Sequence, residues 1–235
     1  CNPGTVTQEK IVTLKEVGVN RISIGLQSAK NSELKELGRI HTYQQFIQTF
    51  QIARTAGFIN INVDLMSALP GQTFKSYSET LQKIIALEPE HISAYSLIIE
   101  EGTPFYDRYG KDIKANCEYL PLPDEDTERK MYYETKKILK NAGYHRYEIS
   151  NYAKRGFECR HNLSYWTGKD YVGFGTGAAS YLNGVRYSNL KDTKIYIKKM
   201  KEEGIADTIK ENIQILTNKE KMEEFMFVGL RLCAG

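Results

Sequence analysis

The sequence predicts an α/β fold, and three observations carry that expectation. A helix, a short turn usually marked by Gly, and a compact run rich in Val and Ile recur three times in the first hundred or so residues. Such alternation at a period of about 35 to 40 residues places strands in parallel with helices packed outside, as a barrel or an open sheet. No GxGxxG or P-loop string occurs, which lowers the open-sheet readings and favours the barrel. The texture then changes at Pro104.

The elements follow in order. Thr7 to Val17 reads as a helix that stops at Gly18, where a left-handed residue relieves the last turn. Arg21 to Gln27 is the first strand candidate. Thr42 with Gln45 forms a capping-box signature, and Phe46, Ile47, Phe50 and Ala53 follow at helical spacing until Gly57. Ile59 to Met66 is the second strand. Ser76 with Glu79 is a second such signature and opens a helix bearing Leu81, Ile84 and Ile85, after which the chain turns through Pro89 into a third strand, His91 to Ile99. These units predict an arc of three parallel strands with an unpaired edge at Arg21 to Gln27, and an exposed edge recruits other chains. Beyond Pro104 comes a loop with Tyr106, Tyr109 and Cys117, broken by Pro121 and Pro123. Asp124-Glu125-Asp126 place acids in the first turn of a helix ending at Gly143. Tyr144 to Tyr187 is rich in Tyr, Gly and Asn, with strand-like pieces at His145 to Ile149 and Ala178 to Leu182. Asp192 to Glu203 reads as a Lys-rich helix with a solvated basic face, membrane contact ranking well below that reading. Glu220 to Leu232 is an amphipathic helix. The organisation expected is residues 1–115 as barrel, 116–190 as an extension, and 191–235 as the start of a helical domain.

Length and charge narrow the function classes. The 235 residues suit one large or two modest domains, and 41% hydrophobic with 26% charged residues is ordinary for a globular chain. Lys+Arg 32 against Asp+Glu 29 leaves +3, spread along the chain, which gives no support to a nucleic-acid partner. No run approaches the roughly 18 apolar residues of a membrane span, and no signal peptide is evident, so a cytoplasmic protein is the expectation. Cys1, Cys117, Cys159 and Cys233 show no CxxC or CxxxC spacing, which supports neither a zinc knuckle nor a cluster-binding loop. The chain opens on Cys1-Asn2-Pro3-Gly4 and closes on Cys233-Ala234-Gly235 just after an apolar run, and both ends read as cut.

In a barrel of parallel strands the reactive groups stand at the C-terminal strand ends. Those ends offer Gln27-Ser28, then Asp64 leading into Leu69-Pro70-Gly71-Gln72, then Glu100-Glu101. Strand ends are also polar because loops are wet, and the residues alone leave both readings open. Asp64 and Glu100 as acid and base of a barrel hydrolase or isomerase is one function they allow, provided the carboxylates converge on one pocket.

Longer strings bear a resemblance. Asn2 to Thr5, Gly18 to Ser28, Leu37-Gly38-Arg39-Ile40-His41, Asp64-Leu65-Met66 with Leu69 to Gln72, His91 to Tyr95 and Glu100 to Thr103 together resemble the radical S-adenosylmethionine (SAM) proteins related to oxygen-independent coproporphyrinogen III oxidase. Tyr147 to Ala153 and His161-Asn162-Leu163-Ser164-Tyr165-Trp166 are similar to the haem-chaperone branch of that family, HemW. The resemblance spans nearly the whole chain. It implies a partial (β/α)6 TIM-like barrel, only its later strands present, followed by an α+β region. The family's CxxxCxxC and Gly-rich GGTP-like segments do not occur here, so no cluster ligand is expected in this chain and the polypeptide alone is expected to be inactive.

The resemblance also implies site residues and partners. Gln27 and Arg39 would contact the methionyl part of S-adenosylmethionine, Arg39 suiting the carboxylate by its fixed fork of donors. Asp64 would accept from the ribose hydroxyls. The family's [4Fe-4S] cluster and S-adenosylmethionine together generate a 5′-deoxyadenosyl radical, the protein supplying binding and orientation. His161 would be an axial ligand for haem iron, with Tyr165 and Trp166 covering the porphyrin. Cys159, two positions before it, is a weak metal signal, and His91 reads as structural. Haem or a porphyrin, a respiratory haem-protein acceptor and self-association through a sheet edge are the implied partners. Oxidative decarboxylation of coproporphyrinogen III is the alternative activity, against which HNxxYW argues.

Overall fold

Three of the Val/Ile-rich runs become β1 (Ile22–Gln27), β2 (Ile61–Ser67) and β3 (His91–Ser96), hydrogen-bonded in parallel in that order. They belong to a computed structural model that describes residues 1–110, 119–202 and 208–233; Cys117 lies outside the described residues. The register sets Ile22 opposite Ile61, Ile24 opposite Val63, and Val63 opposite Ile92. Successive strand residues point to opposite faces, so these side chains share one face, with Leu26 and Leu65. That face is covered by Ile11 of α1 (Gln8–Glu16), Phe46 and Phe50 of α3 (Tyr43–Thr55), and Leu81 and Ile84 of α4 (Phe74–Ile85), giving the buried core. The opposite face carries Ser23, Gly25, Asn62, Asp64, His91, Ser93 and Tyr95. One face is therefore oily and the other polar, as the inner wall of a ligand-holding barrel requires.

Local chemistry sets the helix ends. Thr7 caps α1, its hydroxyl accepting from the Lys10 amide, and Gly18 follows in the left-handed region (φ 93°). The Thr42–Gln45 capping box at α3 forms as the sequence predicts. At α4 the cap lies one turn earlier than the Ser76–Glu79 reading: Thr73 accepts from the Ser76 amide, and the Ser76 hydroxyl reciprocates toward the Thr73 amide. Ser76 is therefore the third residue of the helix. A short helix, α2 (Asn31–Glu36), was not expected; Lys30 at its start offers no side-chain cap, and its support is the burial of Glu33 and Leu34.

After β3 come α5 (Pro104–Tyr109) and α6 (Glu125–Asn141), the latter capped by Asp124, which accepts from the Thr127 amide at 2.7 Å. α6 buries Met131, Thr135 and Leu139 against the core. β4 (His145–Arg146) and β5 (Asn151–Ala153) then extend the sheet antiparallel, in the order β1-β2-β3-β5-β4. The arc thus continues past the three expected strands. The β1 edge is also less bare than expected: the Gly25 amide donates to the Cys1 carbonyl at 3.0 Å, and the Cys1 amine donates to the Ser23 carbonyl.

These elements lie within a first compact unit, Cys1–Glu158; a second unit runs from Cys159 to Gly235. The second unit holds α7 (Arg160–Trp166), an antiparallel sheet of β6 (Ala179–Leu182), β7 (Val185–Asn189) and β8 (Lys210–Ile215), and helices α8 (Thr193–Lys201) and α9 (Asn218–Gly229). Asn183 and Gly184, both at positive φ, make the two-residue turn between β6 and β7, as right-twisted hairpins favour. Met222, Phe225, Met226, Phe227 and Leu230, on or just after α9, are exposed. Among the described residues no helix is long and apolar enough to cross a membrane.

Candidate functional site

The polar face of the parallel strands holds a connected set of side chains. Asp64 lies mid-strand in β2, where its carboxylate accepts from the Asn62 amide (2.6 Å to Oδ1) and from the Ser23 hydroxyl (3.1 Å to Oδ2). Asn62 also donates to Ser23 at 2.8 Å, while its carbonyl oxygen accepts from Ser93 at 3.1 Å and pairs with His91 Nδ1 at 2.5 Å. His91 is fully buried, and its Nε2 meets the Tyr147 hydroxyl at 2.7 Å. Burial, with the nearby Arg21 charge adding to it, pushes the imidazole pKa down to about 3, so His91 is neutral.

Gln27 ends β1 in an unusual conformation. A bulge between Gly25 and Gln27 shifts the register, and Gln27 sits at φ 73°, where a side chain other than Gly stores strain on the order of 1–3 kcal/mol. The geometry is held in place: Tyr95 donates to Gln27 Oε1 at 3.1 Å, and the ring of buried His41 meets the Leu26 carbonyl at 3.2 Å. Burial raises the Tyr95 hydroxyl pKa and the Asp64 charge raises it further, so Tyr95 keeps its proton. Arg39 reaches Asn2 Oδ1 at 3.5 Å. A Cβ on Gly25 would lie 3.1 Å from Gln27 Nε2, 3.5 Å from Asn2 Oδ1 and 3.9 Å from Asp64 Oδ2. Gly25 therefore leaves open a cradle walled by an amide donor, an amide oxygen and a carboxylate. The structure brings Gln27 and Asp64 to this cradle and links Arg39 to it through Asn2.

A buried carboxylate that the sequence reading passed over braces the adjoining loop. Glu33, 6% exposed, accepts from Ser28 (2.5 Å), Gln72 (2.9 Å) and Ser76 (2.7 Å). It thereby ties the end of β1, the Leu69-Pro70-Gly71-Gln72 turn and the first turn of α4 together. The positive helix end adds to this attraction for a carboxylate. Gly71 needs its φ of 67°, and a Cβ there would meet Leu120 Cδ1 at 2.9 Å; its amide donates to the Pro121 carbonyl. Asn62 was legible in hindsight: Asn60, Asn62 and Asp64 alternate with Ile59, Ile61 and Val63, a period-2 pattern that sends Asn62 and Asp64 to one face. Glu100 is exposed and joins none of these bonds, so the polar cluster around Asp64 forms without it.

The second unit carries a separate feature on α7. His161 is exposed, and one turn along the helix the Tyr165 hydroxyl meets its Nε2 at 3.0 Å, the two rings edge to face at 4.8 Å. Tyr165 packs on Tyr171 at 4.5 Å. Tyr165 and Trp166 line a cavity of about 500 Å³ whose walls also include Tyr171, Tyr181, Lys221 and Phe225. Arg186 closes part of the wall through a paired bond to Glu224 (2.6 and 2.8 Å), and Arg231 stacks over Trp166. The Trp166 indole N–H is buried and has no hydrogen-bond partner among the described residues. His161 itself does not line the cavity; it borders it through Tyr165. Among the described residues no group of three or more His, Cys, Asp or Glu side chains is placed to hold a metal ion.

Comparison with known proteins adds independent findings. Residues 1–84 match a family model described as the radical SAM superfamily. The chain is 41% identical over 237 residues to a protein named heme chaperone HemW from Bacillus subtilis (strain 168), covering 100% of this chain and 60% of that protein. It is 40% identical over 236 residues to a protein of the same name from Lactococcus lactis, covering 59% of it. Among solved structures, coproporphyrinogen III oxidase (HemN) from Escherichia coli superposes with a TM-score of 0.78 at 21% identity, over 98% of this chain and 54% of that one, which is a likeness of fold. The chain thus spans about 60% of the length of these curated relatives.

Proposed function

The chain belongs to the HemW/HemN-like radical SAM family, and from that premise we propose that it is part of a haem chaperone that holds S-adenosylmethionine on the polar strand face and haem beside α7. Membership implies S-adenosylmethionine and a [4Fe-4S] cluster in the full-length protein. Among the described residues no group of three or more His, Cys, Asp or Glu side chains is placed to hold that cluster. They do fit the nucleoside cofactor, because Gly25 leaves open a cradle that Gln27 and Asp64 border. Bound there, S-adenosylmethionine would supply a cleavable carbon–sulfur bond. The chain's own part is to bind and orient: Asp64 accepts from the ribose hydroxyls, Arg39 pairs with the methionyl carboxylate, and Gln27, with Tyr95 behind it, donates from Nε2.

The observation that carries the haem reading is His161, exposed on α7 and bonded to a tyrosine that lines an aromatic cavity. That volume falls in the roughly 300–1,000 Å³ range of small-ligand pockets. Exchanging a single solvent-exposed hydrogen bond to Tyr165 for iron costs about 1 kcal/mol, so the imidazole is available as an axial ligand. Tyr165 and Trp166 give the porphyrin apolar cover. A respiratory haem protein is the proposed acceptor. The HNxxYW string and the named relatives support this reading over coproporphyrinogen oxidation. Titrating haemin into the protein and into His161→Ala, followed by the Soret band, tests it. Loss of the shifted band and at least tenfold weaker binding are expected. An unchanged spectrum and affinity would reduce HNxxYW to a structural motif and return the oxidase reading to contention.

A further inference from the structure

The polar strand face contains a chain of hydrogen bonds whose directions can be worked out from one end. Asp64 is an acceptor, so the group of Asn62 that meets it at 2.6 Å is the amide nitrogen. That places the Asn62 carbonyl oxygen toward His91 Nδ1, which must then carry a proton to donate at 2.5 Å. The ring is neutral, so Nε2 has no proton and accepts from the Tyr147 hydroxyl at 2.7 Å. Every link from Tyr147 to the carboxylate therefore points the same way, Tyr147 to His91 to Asn62 to Asp64. Ser93 donates into the same Asn62 oxygen, and Ser23 donates to Asp64 while accepting from Asn62.

We propose that His91 is a positioning residue for Asp64: held as the Nδ1–H tautomer by Tyr147, it fixes the Asn62 amide, which holds one carboxylate oxygen and leaves the other turned toward the Gly25 cradle for the ribose hydroxyls of a nucleoside. Three features support it. Asp64 Oδ1 takes the short Asn62 bond, while Oδ2 lies 3.9 Å from where a Gly25 Cβ would be. The register stacks Ser23, Asn62 and His91 in one row across the strands and Gly25, Asp64 and Ser93 in the next, so the relay lies directly beneath the cradle. A flipped Asn62 amide would set its oxygen against the carboxylate, a repulsion that the Nδ1–H proton of His91 prevents. Tyr147, from the connection between β4 and β5, thereby links a distant stretch of sequence to nucleoside binding.

The inference rests on reading Asp64 as the nucleoside contact, and the experiment separates the two. The full-length protein is titrated calorimetrically with S-adenosylhomocysteine and with its 2′,3′-dideoxy analogue. Asp64→Asn is expected to weaken S-adenosylhomocysteine at least tenfold and to leave the dideoxy analogue unaffected; equal loss for both, or no loss, overturns the reading of Asp64 and the relay with it. With that reading upheld, His91→Leu is expected to weaken S-adenosylhomocysteine about tenfold, His91→Asn, which retains a donor at the Nδ1 position, to recover to within about threefold, and His91→Leu in the Asp64→Asn background to add nothing. Tyr147→Phe, which keeps the ring, covers the case in which His91→Leu does not fold, with about threefold weaker binding expected. Additive losses, or no rescue by His91→Asn, would overturn the relay. A long-range nitrogen–proton NMR spectrum gives a second readout: a proton on His91 Nδ1 is expected, and one on Nε2 would reverse the chain of donors and refute the proposal.

Discussion

Replacing Glu33 by alanine removes the acceptor shared by three donors from separate elements, and the remaining bonds determine the cost. Gln72 Nε2 keeps a weaker acceptor in the Met66 carbonyl at 3.4 Å, and the Ser76 hydroxyl keeps the Thr73 carbonyl at 3.0 Å. Ser28 loses the acceptor it meets at 2.5 Å, although its oxygen still accepts from the Lys30 amide. A hydrogen bond to a charged group is worth about 1.5–3 kcal/mol net; with two of three donors partly rehoused, the loss for Glu33→Ala comes to about 2–4 kcal/mol. Glu33→Gln keeps the shape and sheds the buried charge, so its cost is at most half of that, about 1–2 kcal/mol. Urea unfolding followed by far-ultraviolet circular dichroism gives the totals. Hydrogen exchange over residues 68–73 gives the local effect, because the Leu69 amide donates to Gln72 Oε1 and the Gln72 amide to the Leu69 carbonyl. Faster exchange there is expected in Glu33→Ala. A variant within about 0.5 kcal/mol of the parent, with unchanged exchange in that loop, would refute the claim that Glu33 braces the rim of the cradle.

Two further outcomes follow from the same geometry. Gly71→Ala should lose about 1–3 kcal/mol, from the left-handed φ of 67° and the 2.9 Å approach to Leu120; adding Leu120→Ala should relieve part of the clash, and a fully additive double variant in a thermal melt would contradict it. For pH, the His91 pKa falls from 6.5 unfolded to about 3 folded, so between those values the unfolded chain binds the extra proton. Stability is therefore complete above about pH 6.5 and is lost as the pH falls toward 3, at up to about 1.4 kcal/mol per pH unit. His41 is shifted in the same direction by burial and adds to the slope, so the check is the difference between the parent and His91→Asn in urea midpoints from about pH 7 to about pH 5; equal slopes would count against a neutral buried His91.

The sequence disclosed the parallel strands because each carries local signals: Ile22, Ile24 and Leu26 alternate with Ser23 and Gly25, and Gly18 and Gly57 close the preceding helices. It concealed what depends on distant partners. β5 is three residues long, and only pairing with β3 on one side and β4 on the other makes it a strand. α2 has no capping side chain, and Glu33 resembles any helical surface acid until Ser28, Gln72 and Ser76 converge on it. Arg39 and His161 could be singled out only by resemblance, since an isolated cation and an isolated imidazole have no periodic signature. Tyr165 and Trp166 had a helical neighbour in His161, whereas Lys221 and Phe225 join their cavity from more than fifty positions away.

Both hydrogen-bonded ladders are closed within their own stretch of chain, β1 to β5 before Glu158 and β6 to β8 after Cys159. A genetic crossover between those two codons would sever no strand from its partner. The cradle around Gly25 would be inherited through one gene segment and the His161 helix through the other. Recombination at that point would join or separate the two segments without breaking a single rung of either ladder among the described residues.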